Sequence, residues 1–110
     1  MTVKPGQSVR GSMTGRPIMV LFDVLGQRWT LRILWELRLE RLTFRELRSQ
    51  CANVSPTVLN ARLKELRELN LVDHDENGYG HTGLGAELAV QLGTLDGWSQ
   101  KWAKSLDTQR

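Results

Sequence analysis

The sequence predicts a mostly helical α+β domain, and three observations predict it. Residues 43–69 read as two short helices joined by a tight turn. A pair of short strands follows around Asn77-Gly78, a favoured hairpin turn pair. A last helix then carries a leucine and tryptophan stripe over about six turns. The chain has 110 residues, which fits one domain and is too short for a TIM barrel or a complete dinucleotide-binding fold.

Residues 1–15 hold three glycines and one proline among small polar residues, and read as a flexible arm before a domain spanning 16–110. Residues 18–25 are nearly all apolar and are followed by Gly26, which predicts a short buried helix with a glycine C-cap. A buried strand also fits so short a run. A second helix is expected over 29–38, where Thr30, Ile33, Leu34 and Leu37 share one face. Thr43-Phe44-Arg45-Glu46 spells a capping box, Thr43 at the N-cap and Glu46 at N3, opening a helix to about Cys51. Ala52-Asn53-Val54 makes a turn. Ser55-Pro56 then opens a helix to Leu69, with serine at the N-cap and proline at N1. On it Leu59, Leu63 and Leu66 share one face, and Thr57, Asn60, Ala61 and Lys64 the other. Leu71–His74 should pair with Tyr79–Thr82 to form a wing within 70–82. Thr82 should cap the last helix, 83–106. There Leu84, Leu88, Leu92, Leu95, Trp98, Trp102 and Leu106 form a stripe with little domain left to cover it, so a partner subunit is its natural cover. Gly93 and Gly97 weaken that helix by about 1 kcal/mol each relative to alanine. This order, with a helix-turn-helix at 43–69 and a hairpin after it, is that of a winged helix-turn-helix.

Charge agrees with the element order. The net charge is +3, but residues 28–70 hold nine Lys and Arg against five Glu, while 71–100 hold five Asp and Glu with no Lys or Arg. A basic middle suits an anionic partner such as nucleic acid. No apolar run is long enough to span a membrane, and no signal-peptide core opens the chain, so a cytoplasmic protein is expected. The single cysteine, Cys51, excludes an intramolecular disulfide and argues against structural zinc.

The segment Asp23-Val24-Leu25-Gly26-Gln27-Arg28-Trp29-Thr30-Leu31-Arg32-Ile33-Leu34 resembles the opening signature of the HxlR family of winged-helix regulators, roughly LGGKWTLLIL. Phe44-Arg45-Glu46-Leu47 resembles the family's F-x-E-L. Ser55-Pro56-x-Val58-Leu59-x-x-Arg62-Leu63-Lys64-Glu65-Leu66 resembles its S-P-x-V-L-x-x-R-L-x-x-L. Leu69-x-Leu71-Val72 and Tyr79-x-x-Thr82-x-x-Gly85 match its wing strands and the start of its last helix. The resemblance covers about Ile18 to Leu106. It implies a homodimeric DNA-binding transcription factor, with repression by promoter occlusion the expected mode and an inverted-repeat operator. It implies that the helix from Ser55 to Leu69 enters the major groove with Ser55, Thr57, Asn60, Ala61 and Lys64 facing bases, Asn60 suited to adenine. Carried over in the same way, Arg28, Thr30, Arg45 and Arg48 hold phosphates. The first and last helices supply the dimer interface through Ile18, Leu21, Phe22, Leu88, Leu92, Leu95, Trp98 and Trp102.

Two features depart from the family. The cysteine that many relatives carry before the first helix is replaced by Arg16-Pro17, so thiol sensing is not carried over. The wing is short, and Asp73, Asp75 and Glu76 would repel phosphate. That acidity supports an alternative, a winged-helix dimer serving as a protein-interaction or small-molecule-sensing module with weak DNA binding. Arg62 lies at the flank of its helix and reads as a structural or phosphate residue. Four tryptophans allow packing alone or a pocket for a small aromatic or electrophilic effector. Gly78-x-Gly80-x-x-Gly83 lies in a hairpin and lacks the strand, helix and acid that a dinucleotide site needs. His74 and His81 are expected to face each other across the hairpin, where a pH-sensitive pair or a metal can be imagined, but no ligand spacing supports a metal. No nucleophile has a recognisable base partner, so no enzyme, catalytic residue or cofactor is expected.

Overall fold

The computed structural model describes residues 16–108 and Pro5. The expected N-terminal arm otherwise lies outside the described residues. Five helices and one hairpin run in the order α1 Pro17–Leu25, α2 Thr30–Glu36, α3 Phe44–Gln50, α4 Pro56–Glu68, β1 Val72–Asp75, β2 Gly78–His81 and α5 Gly83–Thr108. This is the winged helix-turn-helix that the element order predicts.

Local chemistry explains most boundaries. Pro17 begins α1 at a position where a missing N–H costs nothing. The apolar run is a helix, not a strand, and Gly26 ends it in a right-handed conformation, φ −77°. The α3 capping box forms: Thr43 N donates to Glu46 Oε1 at 2.9 Å, and Glu46 N donates to Thr43 Oγ1 at 3.2 Å. Ser55 caps α4 by accepting from Val58 N at 3.4 Å. Thr82 Oγ1 accepts from Gly85 N at 3.0 Å and so caps α5. Helix α2 is shorter than expected, stopping at Glu36 with Trp29 as its N-cap in the left-handed region, φ 79°. Between α3 and α4, Ala52 and Asn53 are both left-handed, φ 54° and 57°, which makes the sharp turn of the helix-turn-helix.

The strands pair in the register expected of Leu71–His74 with Tyr79–Thr82, but the turn sits one residue earlier than Asn77-Gly78. Val72 pairs with His81, Asp73 with Gly80, His74 with Tyr79 and Asp75 with Gly78, so the loop is Glu76-Asn77 instead of Asn77-Gly78. Asp75 Oδ1 accepts from Asn77 N at 2.8 Å and closes that loop. Gly78, at φ +113°, serves a different need: a Cβ there would run into the Leu42 carbonyl. Leu42 adds a rung on the other edge of β2, since Leu42 N donates to Tyr79 O at 3.0 Å and Tyr79 N to Leu42 O at 2.7 Å. The two histidines do not face each other. His74 lies against Tyr79, ring centroids 4.3 Å apart. His81 points inward, with Nε2 2.9 Å from Leu34 O, so Nε2 carries the hydrogen and donates. Among the described residues no group of three or more His, Cys, Asp or Glu could hold a metal ion, and no helix is long and apolar enough to cross a membrane.

One core joins all layers. Val20 and Val24 of α1 meet Ile33, Leu34 and Leu37, then Leu42, Leu47, Leu59, Leu63, Leu66 and Val72, with Leu92 of α5 closing the set. Burying each of these large aliphatic side chains contributes about 1.5–3 kcal/mol. Thus α4 is held from below by three leucines, and its other face is left to solvent.

Candidate nucleic-acid interface

Helix α4 presents Ser55, Thr57, Asn60, Ala61 and Lys64 to solvent while Leu59, Leu63 and Leu66 are buried beneath them. All five positions expected to face the groove are therefore exposed, with Thr57, Asn60, Ala61 and Lys64 on the side opposite the leucines and Ser55 at the N-cap. Arg67 is exposed one turn further on and lines a groove of about 480 Å³ with Lys64, Asn70, Asp73 and His74. Sequence reasoning missed Arg67, although its spacing of three from Lys64 places it beside that residue.

The residues assigned to phosphate divide. Arg28 and Arg45 are exposed, Arg28 with its guanidinium 5.8 Å from the Trp29 ring centroid. Thr30 is overturned: it is fully buried, and its Oγ1 has no hydrogen-bond partner among the described residues. The reason is periodicity, because Thr30 shares its helix face with Ile33, Leu34 and Leu37, which all point into the core. Arg48 is half-buried and turned onto its own chain, with Nε donating to Val54 O at 2.7 Å and Nη2 to Asn53 O at 3.5 Å. It closes the turn between α3 and α4.

Two further arginines orient the same pair of helices. Arg62 Nε donates to Arg28 O at 2.9 Å and ties α4 to the residues before α2. Arg32 Nη2 donates to Gln50 O at 2.6 Å and holds the end of α3, while its Nε pairs with Glu36 at 2.7 Å. Gln27 Nε2 donates to Glu65 Oε2 at 3.2 Å on the neighbouring side of α4. Arg62 and Glu65 thus fasten α4 to the segment before α2, and Arg32 fastens the end of α3. The sequence signals Arg62 only as part of a motif, and gives no sign that Arg32 crosses to α3.

The wing is acidic, as its sequence says, but two of its three carboxylates are answered. Arg41 pairs with Asp73 at 2.6 Å and with Asp75 at 3.0 Å. The Asp73 hydrogen bond and charge hold the Arg41 guanidinium above its ordinary range. In the capping box, hydrogen bonds from the Thr43 backbone and side chain hold the Glu46 carboxyl below its ordinary range. Burial pushes the Cys51 thiol up, and Cys51 is fully enclosed at the end of α3.

The stripe assigned to dimerisation also divides. Leu92 is buried in the core of its own domain and is corrected to intramolecular packing, while Leu88 is half-buried against that core. They point inward because α5 packs on α2 through its first half. Leu21 is half-buried. Ile18, Phe22, Leu95, Trp98 and Trp102 are exposed, at 45% or more with Leu84 and Leu106 added. Trp98 and Trp102 stack with ring centroids 6.0 Å apart. A groove of about 440 Å³ opens between α2 and α5, lined by Leu31, Trp35, Leu92 and Leu95 with Arg32, Asp96 and Ser99 at its polar edge.

Comparison with known proteins matches this geometry. The model of a family described as HxlR-like helix-turn-helix matches residues 24–107. The HTH-type transcriptional regulator YvaP of Bacillus subtilis (strain 168) is 32% identical over 87 residues, covering 73% of this chain and 81% of YvaP. The HTH-type transcriptional regulator MJ0925 of Methanocaldococcus jannaschii is 29% identical over 91 residues, covering 79% of this chain and 86% of the other. Among solved structures, quinone-bound YodB from B. subtilis superposes with a TM-score of 0.70 at 26% identity, covering 76% of this chain and 96% of YodB. A possible HxlR family transcriptional factor from Thermoplasma volcanium GSS1 gives 0.68 at 25% identity, covering 76% and 82%.

Proposed function

The chain belongs to the HxlR-like helix-turn-helix family of DNA-binding transcriptional regulators, and we propose from that premise that it acts as a homodimeric repressor on an inverted-repeat operator. The observation that carries the reading is the exposed polar face of α4, mounted on a helix-turn-helix fastened by Arg32, Arg48 and Arg62. Asn60 and Thr57 read bases from that face, and Lys64, Arg28 and Arg45 take phosphates. Dimerisation is supported by α5. Beyond Leu92 the helix runs on to Thr108 with Trp98, Trp102 and Leu106 exposed. A helix of that length with no packing partner is marginal in water, and a second subunit covers it most simply. Ile18 and Phe22 of α1 extend the same interface. Two α4 helices then meet successive major grooves about 34–36 Å apart.

Selection of sheared genomic DNA by the purified protein, repeated over a salt series, tests this. The expected result is an inverted repeat whose affinity falls steeply as salt rises. No enrichment at about 50 mM salt, where electrostatic attraction is strongest, would sink the reading.

An aromatic small molecule is the effector class that the groove beside Trp35 suits, and the quinone bound to YodB supports that class. Capture there is non-covalent, because Cys51 is enclosed with its thiol pushed up. A screen of quinones and aromatic aldehydes should quench tryptophan fluorescence saturably. A flat response across the panel counts against the site.

A further inference from the structure

Arg41 stands one residue before the Leu42 rung and reaches across the hairpin. Its Nη2 donates to Asp73 Oδ1 at 2.6 Å and to Gly78 O at 2.9 Å, and its Nε donates to Asp75 Oδ1 at 3.0 Å. One guanidinium therefore holds two carboxylates of β1 and a carbonyl of β2. Room for it comes from Gly80, the cross-strand partner of Asp73: a Cβ there would come within 2.5 Å of Arg41 Nη1. The side chain lies where another residue's would stand.

The location gives the arrangement a use. Asp73 lines the same groove as Lys64 and Arg67 of α4, the polar face described above. A carboxylate left unpaired there would compete with phosphate for Lys64 and would repel the DNA backbone. We propose that Arg41 is a positioning residue for DNA binding, which latches the short wing to the segment before α3 and cancels its carboxylates, leaving Lys64 and Arg67 to DNA. This rests on the DNA-binding reading and adds a residue that touches no base. It also removes the objection that an acidic wing disqualifies the domain, since two of its three acids are matched within the fold.

The test compares the full chain with R41Q, R41K and R41Q/D73N/D75N. Exposed ion pairs contribute little to stability, so all four proteins are expected to fold. R41Q should bind any duplex roughly three- to ten-fold more weakly at about 50 mM salt, the gap closing as salt rises. R41K should recover part of the loss, because it keeps the charge without the fork. The triple variant should recover most of it, because the charges that needed cancelling are gone. Equal binding by R41Q overturns the proposal. So does a triple variant as weak as R41Q, which would mean that Arg41 itself contacts DNA. Hydrogen exchange at the Leu42 and Tyr79 amides tests the latch without DNA, and should speed up in R41Q. Unchanged exchange overturns the latch. If the unaltered chain binds no duplex, the proposed function fails and the binding role of Arg41 fails with it, while exchange still decides whether the wing is latched.

Discussion

Asn60 and Lys64 share one exposed face, yet their loss should look different. Asn60→Ala removes a side chain suited to a base edge, and should cost about 1–3 kcal/mol at one operator position while leaving random duplex binding unchanged. Lys64→Gln should weaken all duplexes alike, which titrations against operator and random fragments would separate. Both residues were legible because Leu59, Leu63 and Leu66 fix which side of α4 is buried. Thr30 teaches the opposite lesson. Motif similarity placed it on phosphate, while helical periodicity already put it with Ile33, Leu34 and Leu37, and the periodicity prevailed. Arg41 was illegible for a plain reason: its partners lie 32 and 34 residues away, and no local pattern announces such a pairing. At Cys51 the enclosed thiol should resist alkylation in the native chain and react at once in denaturant, as a thiol-reagent time course would show.

Among the elements, α3 depends most visibly on its first turn. Thr43→Ala removes the side-chain half of the capping box, the Oγ1 that accepts from Glu46 N, and should cost about 1 kcal/mol, read as a fall in Tm of about 4–8 °C. Glu46 makes the same box sensitive to acid. Its carboxyl titrates lower in the folded chain than unfolded, so its stabilisation is complete above the ordinary value of 4.5 and is lost as pH falls through the folded value. Glu46→Gln should therefore flatten the decline of the urea midpoint below that pH. Helix α5 offers the reverse experiment. Gly93 and Gly97 lie opposite the apolar stripe, and a Cβ on either meets nothing within 4 Å. Gly93→Ala and Gly97→Ala should each stabilise the helix by up to about 1 kcal/mol, measured by denaturant unfolding. Helix ends were readable where a side chain closes them locally, as Thr43 and Ser55 do. The position of the hairpin turn was not, because Gly78 is required by the approach of Leu42 from a distant part of the chain and not by the turn itself.

For the molecule as a whole, the division of the α5 stripe separates stability from association. Leu92→Ala opens a hole in the core and should cost about 2–4 kcal/mol. Trp98→Glu alters an exposed position, and should shift sedimentation toward the monomer while leaving α1–α4 folded by circular dichroism. A mass unchanged by Trp98→Glu would place the dimer elsewhere. The fold class was readable throughout because hydrophobic pattern, caps and order of elements all agreed. The arginines that bind the chain's own acceptors carry one more consequence. Arg32, Arg38, Arg41, Arg48 and Arg62 each donate to a carbonyl or carboxylate within the domain. A cation already occupied in this way displaces few of the counterions condensed on DNA, and each phosphate neutralised adds only about 0.9 to the slope of log affinity against log salt. Of the nine basic residues between 28 and 70, Arg28, Arg45, Lys64 and Arg67 remain to set that slope. Each half-site should therefore release ions as a four-charge surface does, and the rest of the basic segment acts as mortar between helices.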